Sequence, residues 1–402
     1  MNVKINPGVA RGRITAPPSK SESHRLLIAA AMCDGVSHID GISSCDDVLA
    51  TIDCLSALGV KIKQDGDRLT VHGIDFRGST ATDTLFCRES ASTLRFLIPL
   101  TMLSGKPVRF SGKESLMRRP VSVYESLFTE LGLTLRQDAD GINVCGPLPC
   151  KDYTVTGDVS SQFISGLIFA LVAMGGESRI RITPPVESRS YIKMTLAALG
   201  KFGVSVYFED ENTIFIPEGQ RPAATDVRVE GDYSSAAFMA TLSLLGGDVA
   251  IDGLATDSLQ GDRVYARYFE MIAAENATID ISDCPDLGPI LFVMAAAKFG
   301  GTFTGTRRLS IKESDRVAAM SEELRKLGAT FKVYDDAVIV EPCELHAPND
   351  VLSGHNDHRI VMSLAVLLTL TGGEVSGAEA TKKSYPSFFE DLASLGIDVI
   401  YK

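Results

Sequence analysis

The sequence predicts an α/β protein of two domains, each assembled from three copies of one helix-and-strand unit. Three observations carry this expectation. An apolar helical run, a glycine turn and a short alternating strand recur six times; a second helix series interleaves with the first; and 402 residues is the length of two ordinary domains.

The first series reads RLLIAAAMCDGVSHIDG from Arg25, STLRFLIPLTMLSGKPVRFSG from Ser92 and SSQFISGLIFALVAMGGESRIRI from Ser160. It continues as SSAAFMATLSLLGGDVAIDG from Ser234, LGPILFVMAAAKFGGTFTG from Leu287 and HRIVMSLAVLLTLTGGEVSG from His358. Helices apolar on nearly every side belong at the centre of a domain. The turn glycines Gly35, Gly105, Gly176, Gly247, Gly301 and Gly373 stand about 70 residues apart, except for roughly 54 after Gly247, which hints at a boundary in that half of the chain. The second series is LSALGVKI, FTELGLTL, LAALGKFGVSV, FEMIAAENATI, LRKLGATF and LASLGIDV, each a helix closed by Gly or Asn and followed by an alternating strand. Each unit therefore holds at least two helices and two or more strands. Two sequential halves are the simplest division, and the pattern leaves open whether the N-terminal strand stays with its own half.

Composition narrows the function. A net charge of −12 and a pI near 5.1 argue against nucleic acid or an anionic membrane as partner, so an anionic ligand must be met by local Lys and Arg. The eight cysteines are scattered without C-x-x-C or zinc-ligand spacing, which suggests free thiols in a reducing compartment and neither a disulfide framework nor a metal. No secretory signal or apolar run of about 18 residues is seen, so the cytoplasm is expected.

The apolar helices begin with polar residues: Lys20, Ser21 and Arg25; Arg88 to Ser92; Ser160 to Gln162; Asp232 to Ser235; Asp286; Asn356 to Arg359. Helix N-termini offer free N–H groups and the positive end of the dipole to phosphates and carboxylates. Ser, Asp and Asn also cap helices without any ligand, and that reading stays open for Ser234, Ser235 and Asp357. Basic residues join the series in M-R-R-P from Met117, I-K-E-S-D-R from Ile311, N-D-H-R from Asn356 and K-K-S-Y-P from Lys382.

Taken in order, P-S-K-S-x-S-x-R, L-F-(x)4-A-S-T-L-R, R-P, D-V-S-S-Q-F, S-x-S-Y, V-E-G-D-x-S-S-A, P-D, K-E-S-D-R, N-D-H-R and K-x-Y-P resemble the 5-enolpyruvylshikimate-3-phosphate synthase family over essentially the whole chain. The resemblance implies two domains of three βαβαββ units with buried helices, and two chain crossings. Residues 1–14 and 230–402 would form a discontinuous domain holding both termini, with 15–229 inserted as the second and the active site in the cleft between. It implies transfer of the enolpyruvyl group of phosphoenolpyruvate to the 5-hydroxyl of shikimate 3-phosphate, in chorismate and aromatic amino-acid biosynthesis, by a monomer without cofactor or metal.

Carried over by position, shikimate 3-phosphate is assigned to Lys20, Ser21, Arg25, Ser160, Ser161, Gln162, Ser188, Tyr191, Asp286 and Lys312. Phosphoenolpyruvate is assigned to Lys20, Ala91, Arg119, Gln162, Arg316, Arg359 and Lys383, a set rich in the bidentate Arg that suits phosphate and carboxylate. Asp286 is the expected base and Glu313 the expected acid, with Lys20 a second participant. The bland readings are an N-cap for Asp286 and an ion pair with Lys312 or Arg316 for Glu313. His358 is expected to orient Arg359 or the ligand, and His24 to pack locally. Two places depart from the family's pattern: its frequent G-N-A-G-T reads Arg88-Glu89-Ser90-Ala91-Ser92, and Arg308 stands where Asn is frequent, outside the assigned set. Gly is usual at Ala91, where glyphosate sensitivity is set in this family.

Two alternatives are weighed. A UDP-N-acetylglucosamine enolpyruvyl transferase commonly carries a Cys before the Arg-Pro pair, and residues 111–120 contain none. A non-catalytic anion-binding protein has no need of Asp286 and Glu313, and both are present. Nucleotide-binding G-x-x-x-x-G-K-[ST] and G-x-G-x-x-G signatures are absent.

Overall fold

The computed structural model describes residues 1–79 and 84–402. The apolar runs form helices Lys20–Ala31, Ala91–Thr101, Ser161–Met174, Tyr233–Leu244, Gly288–Ala297 and His358–Thr371, each followed through glycine by a strand. The second series forms Asp46–Ala57, Ser122–Glu130, Arg189–Lys201, Tyr265–Ala274, Arg316–Arg325 and Phe388–Ser394. Side-chain caps start most helices of the first series: Ser19 accepts the Glu22 N–H, Ser90 that of Thr93, Ser160 that of Gln162, Asp232 that of Ser235 and Asp357 that of Arg359.

The chain divides into two compact units, Pro18–Glu230 and Met1–Pro17 with Gly231–Lys402, each burying its own apolar core. In the first unit the three copies share one sheet plan. Two parallel strands lie beside an antiparallel hairpin, as in the order Thr84–Phe86, Val108–Ser111, Gly141–Cys145, Thr134–Asp138. The sheet of Tyr153–Thr156 repeats that order, and in the sheet of Val36–Asp40 the outer parallel strand is the remote Asp226–Arg228.

The other unit departs from three equal copies. The sheets of Gly301–Thr304 and Gly373–Ser376 follow the plan, the latter taking Asn2–Ile5 as an inner strand between Gly373–Ser376 and Val399–Tyr401. Among the described residues the copy built on Tyr233–Leu244 instead pairs Asp248–Asp252 with Arg11–Thr15, in parallel, and has no hairpin. The strand after FEMIAAEN, Ala277–Asp280, pairs in parallel with Gly301–Thr304 and so opens the next copy. The absence of a hairpin from that copy is the physical reason for the short interval after Gly247.

The glycine turns also differ from the sequence reading. Gly175, Gly246 and Gly300 take the left-handed φ values of 77°, 105° and 79°, one residue before the glycines singled out above. Their successors serve packing: a Cβ on Gly247 would fall 2.5 Å from the Ala10 carbonyl oxygen, and one on Gly176 2.5 Å from Cys150 Sγ.

Helix Ala91–Thr101 packs along Ser161–Met174, and Gly166 makes the close approach feasible. A Cβ there would lie 2.3 Å from Tyr124 Oη and 2.4 Å from the Arg95 carbonyl oxygen. The Tyr124 hydroxyl sits 2.9 Å and 2.8 Å from the carbonyls of Arg95 and Phe163, so the added methyl meets a hydrogen-bonded group and backbone. Gly166→Ala should therefore lose stability at or beyond the upper end of the about 1–3 kcal/mol usual for overpacking. Gly200→Ala, in a helix and facing open space, should gain up to about 1 kcal/mol. Urea unfolding midpoints of the two variants check this, and similar midpoints would refute it.

Candidate active site

In the Pro18–Glu230 unit the assigned residues gather at the starts of the buried helices. Lys20 Nζ lies 2.9 Å from Asp47 Oδ2. Arg25 is buried and donates from Nε to Thr195 Oγ1 at 2.9 Å, from Nη1 to the Ser21 carbonyl at 2.7 Å and from Nη2 to the Tyr191 carbonyl at 3.1 Å. Burial pulls its pKa down to about 10, against the pull of Tyr191 and Glu22. Ser188, expected at the same ligand as Tyr191, is buried at the start of helix Arg189–Lys201 with a left-handed φ of 54°. Arg25, Ser21 and Tyr191 are thus joined directly.

A second junction forms around Gln162. Its Oε1 accepts from Arg95 Nη1 at 2.8 Å, and its Nε2 donates to Ser92 Oγ at 2.9 Å. Arg95 Nη2 donates to the Pro120 carbonyl at 2.9 Å, next to half-buried Arg119, and the guanidinium lies 4.7 Å from the Phe163 ring. Arg95 was passed over in the sequence reading although the A-S-T-L-R motif contains it. Ser160 caps helix Ser161–Met174, and both Ser160 and Ser161 are buried. Ala91 is the buried first residue of its helix; before it Arg88, at φ 51°, pairs with Asp53 at 2.7 Å, and Glu89 accepts from Ser115 at 2.6 Å. The departures from the family pattern there bring partners of their own. His24 packs locally, its Nδ1 2.8 Å from Thr51 Oγ1.

In the other unit, Asp286 sits in the single turn Pro285–Leu287 and accepts from Arg316 Nη1 at 2.8 Å and Arg359 Nη2 at 3.2 Å, with Lys312 Nζ at 3.4 Å. Glu313 accepts from Arg316 Nη2 at 2.7 Å, and Asp357 Oδ2 from Arg316 Nε at 2.8 Å. Arg316 is 1% exposed and bound by three carboxylates. Assigned above to phosphoenolpyruvate, it is first the hub that holds Asp286, Glu313 and Asp357 together. Burial opposes its charge, but Asp357, Glu313 and Asp286 outweigh it and raise its pKa. Burial pushes Lys312 down to about 8 against the attraction of Asp286, with Arg308 and Arg316 adding to the fall. Lys383 is buried and donates to the Asn356 carbonyl at 2.6 Å. His358 is buried with Nδ1 3.9 Å from Asp357 Oδ1.

Asp262 escaped the sequence reading. It lies in the turn Gly261–Val264, buried, and accepts from the Ser234 hydroxyl. Burial, and then the charge of Asp286, push its carboxyl up to about 7. A lone acidic residue after glycine carries no motif signal. Arg308, left aside above, is also buried.

The sequence profile of EPSP synthase (3-phosphoshikimate 1-carboxyvinyltransferase) matches residues 6–392. Among curated proteins, the 3-phosphoshikimate 1-carboxyvinyltransferase of Clostridium kluyveri is 38% identical, over 99% of this chain and 98% of its own. That of Clostridium perfringens strain 13 is 37% identical, over 98% of both. Among solved structures, an EPSP synthase from Acinetobacter baumannii aligns over the whole of both chains with a TM-score of 0.79 at 24% identity. The enolpyruvyl transferase NikO from Streptomyces tendae aligns over 100% of this chain and 98% of its own, with a TM-score of 0.78 at 16% identity. At those identities the two structures speak for the fold.

The raised carboxyl of Asp262 makes a sign-definite prediction. A native pKa near 7 lies above the unfolded value, so the native state binds more protons between about pH 4 and pH 7. The stability this group contributes is fully present below about pH 4 and is lost as pH rises through about 7. Asn does not ionise, so the stability of Asp262→Asn relative to the parent should rise from pH 5 to pH 8. Denaturation midpoints at the two pH values test it, and a pH-independent difference would reject the assignment.

Proposed function

Because the chain belongs to the EPSP synthase (3-phosphoshikimate 1-carboxyvinyltransferase) family, we propose that it transfers the enolpyruvyl group of phosphoenolpyruvate to the 5-hydroxyl of shikimate 3-phosphate and releases phosphate. The observation that carries the chemistry is the pair of carboxylates, Asp286 and Glu313, held on one buried guanidinium beside Lys312 and Arg359. Asp286 takes the proton of the 5-hydroxyl as its oxygen bonds to C2 of phosphoenolpyruvate. Glu313 supplies a proton to C3, with Lys20 as second participant. Removal of a C3 proton and cleavage of the C2–O bond to phosphate then restore the double bond.

Shikimate 3-phosphate is assigned to Lys20, Ser21, Arg25, Ser160, Ser161, Gln162, Ser188, Tyr191, Asp286 and Lys312. Phosphoenolpyruvate is assigned to Lys20, the Ala91 backbone, Arg119, Gln162, Arg316, Arg359 and Lys383. The junction Ser21–Arg25–Tyr191 supports this division, since it joins three residues given to the same ligand. We assign the enzyme to chorismate biosynthesis in the cytoplasm, as a monomer; among the described residues no helix is long and apolar enough to cross a membrane.

Phosphate release should require shikimate 3-phosphate and fail with UDP-N-acetylglucosamine. In that assay Asp286→Asn should lose about a hundredfold or more in turnover, the scale of positioned acid–base chemistry, with shikimate 3-phosphate binding retained. A variant of near-native turnover would remove Asp286 as the base.

Ala91 leads to a prediction about glyphosate, longer than phosphoenolpyruvate and expected at the same site. Its methyl group occupies the buried start of a helix, where glycine would let the ligand approach the backbone. An overpacking cost of about 1–3 kcal/mol corresponds to roughly 5- to 150-fold weaker inhibition. Ala91→Gly should therefore tighten glyphosate inhibition more than it lowers the phosphoenolpyruvate KM; unchanged inhibition would show that the methyl is not the obstacle.

A further inference from the structure

We infer that Glu323 is a positioning residue for phosphoenolpyruvate, acting through residues 353–356; the inference rests on the reaction proposed above. Glu323 lies on helix Arg316–Arg325, is fully buried, and takes no part in the chemistry described so far. Its Oε2 accepts the Ser353 backbone N–H at 2.9 Å, and its Oε1 lies 3.0 Å from His355 Nε2. The Lys326 ammonium sits 2.8 Å from both oxygens. Glu322, Glu323 and His355 bring potential metal-ligand atoms within 4.8 Å of one another, but that ammonium already supplies the positive charge at Glu323. A carboxylate fits the position because it accepts from several donors at once where water does not reach.

The segment it holds has a costly backbone. His355 and Asn356 are consecutive non-glycine residues in the left-handed region, with φ of 48° and 51°. The Ser376 carbonyl anchors the Gly354 N–H at 3.0 Å, and Glu323 fixes the residues on both sides of that anchor. From this conformation the Asn356 carbonyl accepts the Lys383 ammonium at 2.6 Å. Asp357 follows at once, accepting the Arg359 N–H at 2.9 Å and Arg316 Nε at 2.8 Å. If the turn relaxed, the carbonyl that holds Lys383 and the cap that sets Arg359 would shift together. Those are cations assigned to phosphoenolpyruvate, so the loss should fall on that substrate.

The test compares Glu323→Gln, His355→Ala and, as an exposed neighbour of equal charge, Glu322→Gln. An amide keeps one acceptor oxygen and replaces the other by a donor that opposes Lys326 or the Ser353 N–H. After circular dichroism confirms folding, Glu323→Gln should raise the phosphoenolpyruvate KM about tenfold or more and His355→Ala a few-fold. The shikimate 3-phosphate KM and kcat should stay within about twofold, and Glu322→Gln should match the native enzyme. A fall in melting temperature with both KM values unchanged, or with both raised alike, would overturn the inference. If Glu323→Gln does not fold, an unchanged phosphoenolpyruvate KM in His355→Ala overturns it just as well. Calorimetric titration with inorganic phosphate separates this inference from the reaction. If the native enzyme releases no phosphate from its substrates, the proposed reaction falls, whereas weaker phosphate binding by the variants still supports the role of Glu323 and equal binding rejects it.

Discussion

A guanidinium with 1% of its surface exposed has lost its water and needs acceptors and counter-charge from the protein, and three carboxylates supply both to Arg316. Taking one ion out of water costs several kcal/mol after relaxation, and removing one partner of a buried pair typically costs about 3–5 kcal/mol. Asp286, Glu313 and Asp357 are therefore required by Arg316, and it by them. The same bonds place the proposed base and acid on one rigid group and attach the cap of helix His358–Thr371 to it. Stability and the proposed reactive geometry share one set of contacts.

The two units treat buried cations differently. Among the described residues Arg25 is hydrogen-bonded by a hydroxyl and two backbone carbonyls, which accept its N–H groups without cancelling its charge. Arg316 and Arg359 face carboxylates. An anion meeting Arg25 finds a positive charge that the hydrogen-bonded partners leave in place, even though the chain carries a net charge of −12. Local arrangement, rather than overall charge, makes anion binding feasible here.

Much of the fold was legible because the buried helices advertise themselves: an all-round apolar run between a polar cap and a glycine has few other readings. What stayed hidden depends on pairing between distant segments. Asn2–Ile5 and Asp226–Arg228 are short strands whose partners lie far along the chain, and no local pattern names those partners. The absent hairpin left only a shortened interval. Asp286 and Lys383 stand out in the sequence through the motifs that contain them, whereas nothing local marks Asp262 and Glu323 as buried. An acidic residue in a helix or turn looks the same in sequence whether it faces water or lies buried. Only the fold shows that Glu323 lies under a left-handed turn.

The inner position of Asn2–Ile5 bears on the order of assembly during synthesis. This strand is made before Pro18–Glu230, yet its neighbours in the sheet, Gly373–Ser376 and Val399–Tyr401, are made after it. In the interval the whole of Pro18–Glu230 is made, with its own core, and can complete its packing while the leading strand waits unpaired. Closing a loop of this length adds only a logarithmic entropy cost, so the delay is one of timing more than of stability. The polar and charged Asn2 and Lys4, which alternate with the buried Val3 and Ile5, lower the hazard of carrying a free strand edge through that wait.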